Sequence, residues 1–334
     1  MFRRHSRRST NIVFVIFRLF LSLTMFALLL GGLYSAYKHF SGVDSVKLDL
    51  TSAVSSLEKM VPPQIAQYLP FKKDQSSSSL NDVLSQITSS SSQPASEIAF
   101  DFVLISDSHS DNVNFQKALG LIKNFSSVQF LIGLGDYTEV GTIDELKNAK
   151  EALDQSGIRY FLAPGDHDLW DSRDKSKPAL ANFREVFGPS YQSFDYQNFK
   201  FILVFNSDNY AGVDSMQLSW LKSQLEDGKN RGLNILVFVH EPLFHPSSDH
   251  FMGRVEPKLK DQARELIRLF SENGVKKVFA GDAHLFSEYT EPETNLSMIT
   301  VGAVTSERNL QLPSFARVWV YEDGTIRVED VEIK

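Results

Sequence analysis

Five apolar runs in this chain end on residues that can hold metal ions. FVLIS leads into Asp107-Ser108-His109, FLIGLG into Asp136, YFLAPG into Asp166-His167-Asp168, NILVFV into His240, and KVFAG into Asp282-Ala283-His284. Four of the chain's eight histidines stand at these run ends. One Asp or His after a strand is ordinarily a helix cap or a satisfied rim residue. Five such positions at the carboxyl ends of strands, where open α/β sheets bind ligands, are hard to explain as caps. Crowded carboxylates and imidazoles repel or stay unsatisfied unless cations hold them. The sequence has no cysteine, so thiol nucleophiles, disulfides and Cys-ligated zinc or iron–sulfur sites are excluded. Any metal must be held by imidazole and carboxylate.

The elements that position these residues are readable from residue 98 onward. IAFDFVLIS is a continuous β-forming run, NVNFQKALGLIKNF has helical spacing, VQFLIGLG is a second run, IDELKNAKEALDQSG is a helix ending at Gly157, and RYFLAPG is a third strand. That alternation argues a mostly parallel sheet covered by helices. Further on, SFDYQNFKFILVFNS reads as a hairpin, SMQLSWLKSQLEDG and PKLKDQARELIRLFSENG as helices, and LNILVFVH and KKVFAG as strands. The tail supplies the strands LSMITVGA, SFARVWVYED and TIRVEDVEI. Two sheets sandwiched between helices absorb all of these elements. Leu218, Leu221 and Leu225 fall at helical spacing and read as core.

In order, the motifs DSH, GD, GDHD, VHEP and GDAH resemble the calcineurin-like metallophosphoesterase superfamily, which includes purple acid phosphatases, phosphodiesterases and nucleotidases. The resemblance covers residues 98–334 and implies a four-layer α/β/β/α sandwich with a two-metal site. Carried over position by position, it implies that Asp107, His109 and His284 hold the first metal and that Asp136 bridges to the second. Asp166, His240 and Asp282 complete the second site. Two cations about 3.5–4 Å apart would polarise the phosphoryl oxygens and generate a hydroxide for in-line attack. His167 is expected just outside the metals as the group that protonates the leaving oxygen, with Asp168 orienting its ring.

Two positions depart from the common pattern. Most members have Asn where this chain has Asp166 and His where it has Asp282, and both changes fall on the second metal. They add carboxylate charge there and leave His240 as its one nitrogen donor. Manganese, iron, magnesium or calcium should gain relative to zinc at that site. A similar pairing occurs in the PhoD-like phosphatases of the same superfamily.

The first 97 residues have a different character. Residues 12–37, IVFVIFRLFLSLTMFALLLGGLYSAY, carry Arg18 as their one charge and are long enough to cross a hydrocarbon core of about 30 Å. Arg3, Arg4, Arg7 and Arg8 precede them, so the positive-inside rule puts residues 1–11 in the cytoplasm and the rest outside. A cleaved signal peptide is the competing reading, but its apolar region would be unusually long and LYSAYKHF offers no good cleavage site. Residues 38–97 read as a spacer: a short amphipathic piece ending at Pro62-Pro63, then two tetraserine runs of a flexible tether.

Overall charge is −7, from 34 basic and 41 acidic residues. Six of the basic ones precede the first acidic residue, Asp44, leaving 28 against 41, about −13, for residues 39–334. No nucleic-acid partner is expected on so acidic a body. Tyr137 and Glu139 read equally as cleft-lining or ordinary loop residues. Trp170 reads as a stacking platform or as packing, and His245 and His250 lie in a loop placed to reach over the metals but read rather as solvent-exposed. The expectation is a membrane-anchored, extracytoplasmic binuclear phosphoesterase acting on a small-molecule or lipid phosphomonoester or phosphodiester. The alternative is a non-catalytic metal-binding or signalling module on the same fold.

Overall fold

A computed structural model describes residues 96–309 and 311–334. The basic tail 1–11, the apolar segment 12–37 and all but the last two residues of the spacer 38–97 lie outside the described residues. Among the described residues no helix is long and apolar enough to cross a membrane.

The chain runs β1 (Ile98–Ile105), α1 (Asn112–Lys123), β2 (Val128–Gly133), α2 (Ile143–Ser156) and β3 (Tyr160–Leu162). Two short helices follow, α3 (Trp170–Asp174) and α4 (Ala181–Phe187), and then the hairpin β4 (Gln192–Tyr196) and β5 (Phe199–Leu203). The rest is α5 (Ser215–Asn230), β6 (Asn234–Phe238), α6 (Leu259–Glu272), β7 (Val275–Ala280), β8 (Ser287–Thr290), β9 (Ser297–Thr300), β10 (Ser314–Tyr321) and β11 (Ile326–Glu332). One mixed sheet has the order β11-β10-β1-β2-β3 and the other β4-β5-β6-β7-β9-β8. β1, β2 and β3 are mutually parallel, as are β5, β6, β7 and β9.

Continuous apolar runs are needed because both faces of each central strand are covered. In β1, Phe102 and Leu104 face the second sheet while Val103 and Ile105 pack on α1 and α2. In β6, Leu236 and Phe238 face inward while Ile235 and Val237 meet α5 and α6. The period of two thus assigns alternate residues to two different cores and stacks the four layers α/β/β/α. The layer between the sheets is aromatic: Phe102 meets Phe201 edge-on at 5.4 Å, and Phe238 stacks on Phe279 at 5.2 Å. Truncating one such ring to alanine costs about 3–5 kcal/mol.

Local signals set the helix ends. Thr142 and Glu145 form a reciprocal capping box at the start of α2, and Gly157 ends it at φ 71°. The expected sandwich is the fold found. Three elements, α3, α4 and β8, are not predicted from the sequence, because their lengths of five, seven and four residues are too short to carry a period.

Candidate metal centre

Parallel strands send their carboxyl ends to one edge, and every strand-end motif named above arrives there. Asp107 and His109 leave β1, Asp136 leaves β2, Asp166 to Asp168 follow β3, His240 follows β6, and Asp282 and His284 follow β7. Asp107, His109, Asp136, Asp282 and His284 all sit in left-handed backbone, with φ between 42° and 58°. Such conformations cost non-glycine residues energy and persist where the surroundings over-determine them. Here the loops lace together: the Asp107 amide donates to the Gly135 carbonyl at 3.0 Å, the His109 amide to Asp136 O at 3.0 Å, and the Asp282 amide to Asp107 Oδ2 at 3.1 Å. The approach is close enough to demand two glycines. A Cβ on Gly135 would lie 2.6 Å from His240 Nδ1, and one on Gly165 would lie 2.0 Å from Asp136 Oδ1.

His109 Nε2 and His284 Nε2 face each other at 3.1 Å, and His284 Nε2 lies 3.6 Å from Asp107 Oδ1. Asp136 stands between two groups, its Oδ2 3.5 Å from His109 Nε2 and its Oδ1 3.5 Å from His240 Nε2. His240 Nε2 is also 3.5 Å from Asp166 Oδ1. Ligand atoms of Asp107, His109 and His284 lie within 4.8 Å of one another, as do those of Asp166, His240 and Asp282. The structure therefore brings together all seven residues expected as ligands.

The donor set fits divalent cations. The His240 ring donates from Nδ1 to the Leu134 carbonyl at 2.8 Å, because a carbonyl can only accept. That turns Nε2 toward the carboxylates, buried and, among the described residues, without a hydrogen-bond partner. Burial lowers the His109 pKa to about 3, so this ring is neutral and ready to ligate. Burial raises Asp136 and Asp282, each with neighbouring carboxylates pressing the same way. Burial also works against a charged His240, but Asp136, Asp166 and further carboxylates outweigh it and raise that pKa. Asp166 goes down, since its contacts with His240 and Asn209 outweigh burial. Without cations the cluster retains protons among its carboxylates and His240, which a divalent ion held there would displace.

His167 lies beside the cluster, 4.4 Å from the His109 ring centroid, with its amide donating to Asp136 Oδ1 at 3.0 Å. The expectation that Asp168 orients its ring is corrected. His167 Nδ1 donates to the Glu139 carbonyl at 2.7 Å. The Asp168 carboxylate, fully buried, accepts from the amides of Asp136, Gly165 and Thr138 and from the Thr138 hydroxyl at 2.8–3.2 Å. Asp168 thus ties the β2 loop to the β3 loop.

Neighbouring residues resolve the open readings. Tyr137 is buried and donates to the Ala163 carbonyl at 2.9 Å, a packing role. Glu139 holds Arg308 at 2.8 Å. His245, expected in solvent, is buried: its Nδ1 accepts from the Ser247 and Ser248 amides, and its ring abuts Tyr289. His250 and Trp170 line a cleft of about 720 Å³ over the cluster, and the Trp170 ring packs against His167 at 3.7 Å, tilted by 31°. Sequence reasoning missed Asn206, whose Oδ1 takes the His240 amide at 2.9 Å, and Asn209, whose Nδ2 donates to Asp166 Oδ2 at 2.8 Å. Both lie in NSDN at the carboxyl end of FILVF, where the strand-end rule would have found them.

A family model for the calcineurin-like phosphoesterases matches residues 100–286. Human serine/threonine-protein phosphatase CPPED1 is 29% identical over 168 residues, 48% of this chain and 52% of that protein. The match spans about half of that relative's length. A 3′,5′-cyclic-nucleotide phosphodiesterase of Nostoc sp. is 25% identical over 59% of this chain and 74% of its own. Among solved structures, a dimetal phosphatase from Danio rerio superposes with a TM-score of 0.53 at 18% identity, covering 71% of this chain and all of that one. The yellow lupin purple acid phosphatase PPD1 gives 0.54 at 14% identity, covering 70% and 51%. These two likenesses concern the fold.

Proposed function

The chain belongs to the calcineurin-like phosphoesterase family, and on that premise we propose that it is a two-metal phosphoesterase, anchored in a membrane by residues 12–37 with its catalytic domain outside the cytoplasm. One observation carries the catalytic reading: the two oxygens of Asp136 face different imidazoles, His109 and His240, each at 3.5 Å. A carboxylate so placed serves two cation sites at once. Asp107, His109 and His284 would hold one ion, and Asp166, His240 and Asp282 the other. A bound pair of divalent ions supplies charge to a phosphoryl group and makes a nucleophile available near neutral pH. The carboxylate-rich second set favours manganese, iron, magnesium or calcium over zinc. His167 Nε2 points away from its carbonyl anchor and is the group available to move a proton at the ester oxygen. The relatives named above, a protein phosphatase and a cyclic-nucleotide phosphodiesterase, support phosphoester hydrolysis. The anchor reading rests on the apolar run and on the basic residues before it.

The test is metal analysis of the purified chain, with chelation and reconstitution on aryl phosphate mono- and diesters. Two ions per chain and hydrolysis that is lost with chelator and restored by manganese or iron are expected. One ion and no hydrolysis with any divalent metal would favour a binding module.

A further inference from the structure

The cleft over the ligand cluster does not end at it. Past Asp166 it continues into a second cleft of about 480 Å³, and Asp166, Trp170 and Arg254 line both. On its other flank the main cleft runs to Leu285 and Arg308. The cluster therefore lies between two spaces, whereas a phosphomonoester has one ester group to place.

The side cleft is built for a flat group. Tyr210 lines it while 60% exposed. The Arg173 guanidinium sits 5.4 Å from its ring centroid and is itself held by Asp208 at 2.9 Å. Trp170 is braced by His167 at 3.7 Å. Trp170, held against His167, and Tyr210, with Arg173 over its ring, offer aromatic stacking area to such a group.

Charge narrows the class further. Among the described residues three guanidiniums line the two clefts, and no lysine does. Glu139 pairs with Arg308, and Asp208 with Arg173. Among the described residues Arg254 meets no carboxylate; its Nη1 lies 3.3 Å from His250 Nε2. One unneutralised cation beside a cluster with four carboxylates complements a monoanion better than a dianion.

We propose that the substrate is a phosphodiester lying across the cluster, with one planar ester group in the side cleft against Trp170 and Tyr210, and Arg254 at the junction. This deepens the phosphoesterase reading and rests on it. Two analogues with P–C bonds that cannot be hydrolysed test the idea by calorimetry on the full, manganese-loaded chain: diphenylphosphinate, a monoanion with two rings, and phenylphosphonate, a dianion with one. Diphenylphosphinate should bind at least about tenfold more tightly, a gap of ~1.4 kcal/mol. Tyr210→Ala should close most of that gap and Tyr210→Phe should keep it. Equal or reversed affinities, or a gap that Tyr210→Ala leaves intact, would overturn the proposal. Turnover separates the two levels: hydrolysis of p-nitrophenyl phosphate without that of bis(p-nitrophenyl) phosphate sinks the diester assignment alone. If neither ester is cleaved and neither analogue binds, the phosphoesterase reading itself fails.

Discussion

His167 donates its Nδ1 proton to the carbonyl oxygen of Glu139 across 2.7 Å, and this single bond fixes which nitrogen is left for chemistry. The ring is also clamped between Trp170 and His109, so Nε2 is held in one direction without a carboxylate behind it.

Replacing His167 by alanine should lower turnover by roughly 10²–10⁴, the usual contribution of a positioned acid or base, while the chain keeps both metals. Because the orienting group is a backbone carbonyl, Asp168→Asn should act differently. It puts an amide donor among four donors that now converge on a carboxylate, so we expect a loss of about 1–3 kcal/mol of stability. Thermal unfolding and turnover measured on both variants distinguish the roles. Loss of metal in His167→Ala would place this ring among the ligands.

Glu241 gives a pH signature. Burial, reinforced by Asp282, pushes its carboxyl up to about 8 from 4.5, and among the described residues its Oε2 has no hydrogen-bond partner. Between those values the native state holds a proton that the unfolded chain has released. Stability that is complete below the unfolded value is therefore lost as pH rises through the folded one. In chelated protein, Glu241→Gln should gain on the wild type from about pH 5 to pH 9, by on the order of 5 kcal/mol at most. Melting curves with parallel pH dependence for the two proteins would contradict this.

The pair Asp166→Asn with Asp282→His removes two formal charges and adds a nitrogen donor. Metal competition should then shift toward zinc and away from magnesium or calcium. Asn209 donates to Asp166 Oδ2 at 2.8 Å, so the amide introduced at position 166 must turn its oxygen toward Asn209 to keep that bond. Unchanged selectivity in equilibrium dialysis would show that Asp166 and Asp282 do not set the metal preference.

Protease added to spheroplasts should release a fragment beginning within residues 70–97 and carrying the GDHD and GDAH motifs, if the domain lies outside the cytoplasm. Full protection of residues 98–334 in intact spheroplasts, with cleavage after lysis, would reverse the orientation.

The residues that converge at the cluster are legible in the sequence because the central strands are buried on both faces. Runs such as FVLIS and NILVFV must then be apolar throughout, and the first polar residue after each marks the strand's carboxyl end. The apolar segment 12–37 and its basic flank are equally legible, since hydropathy and charge are properties of a local stretch. The role of Asp168 is not legible in this way: adjacency to His167 suggests a partner, whereas its donors are set by how the β2 and β3 loops approach, 30 residues apart at Thr138. His245 has the sequence surroundings of a loop histidine, and it is Tyr289 and the Ser247 and Ser248 amides that close around it. Arg254 and Arg308 stand in segments without any period, and what gives the clefts their charge is that Arg308 pairs with Glu139 while Arg254, among the described residues, meets no carboxylate. Sequence determines where each strand must stop; only the tertiary structure decides which side chains from separate loops meet there, because those contacts join residues distant along the chain and leave no repeating pattern in it.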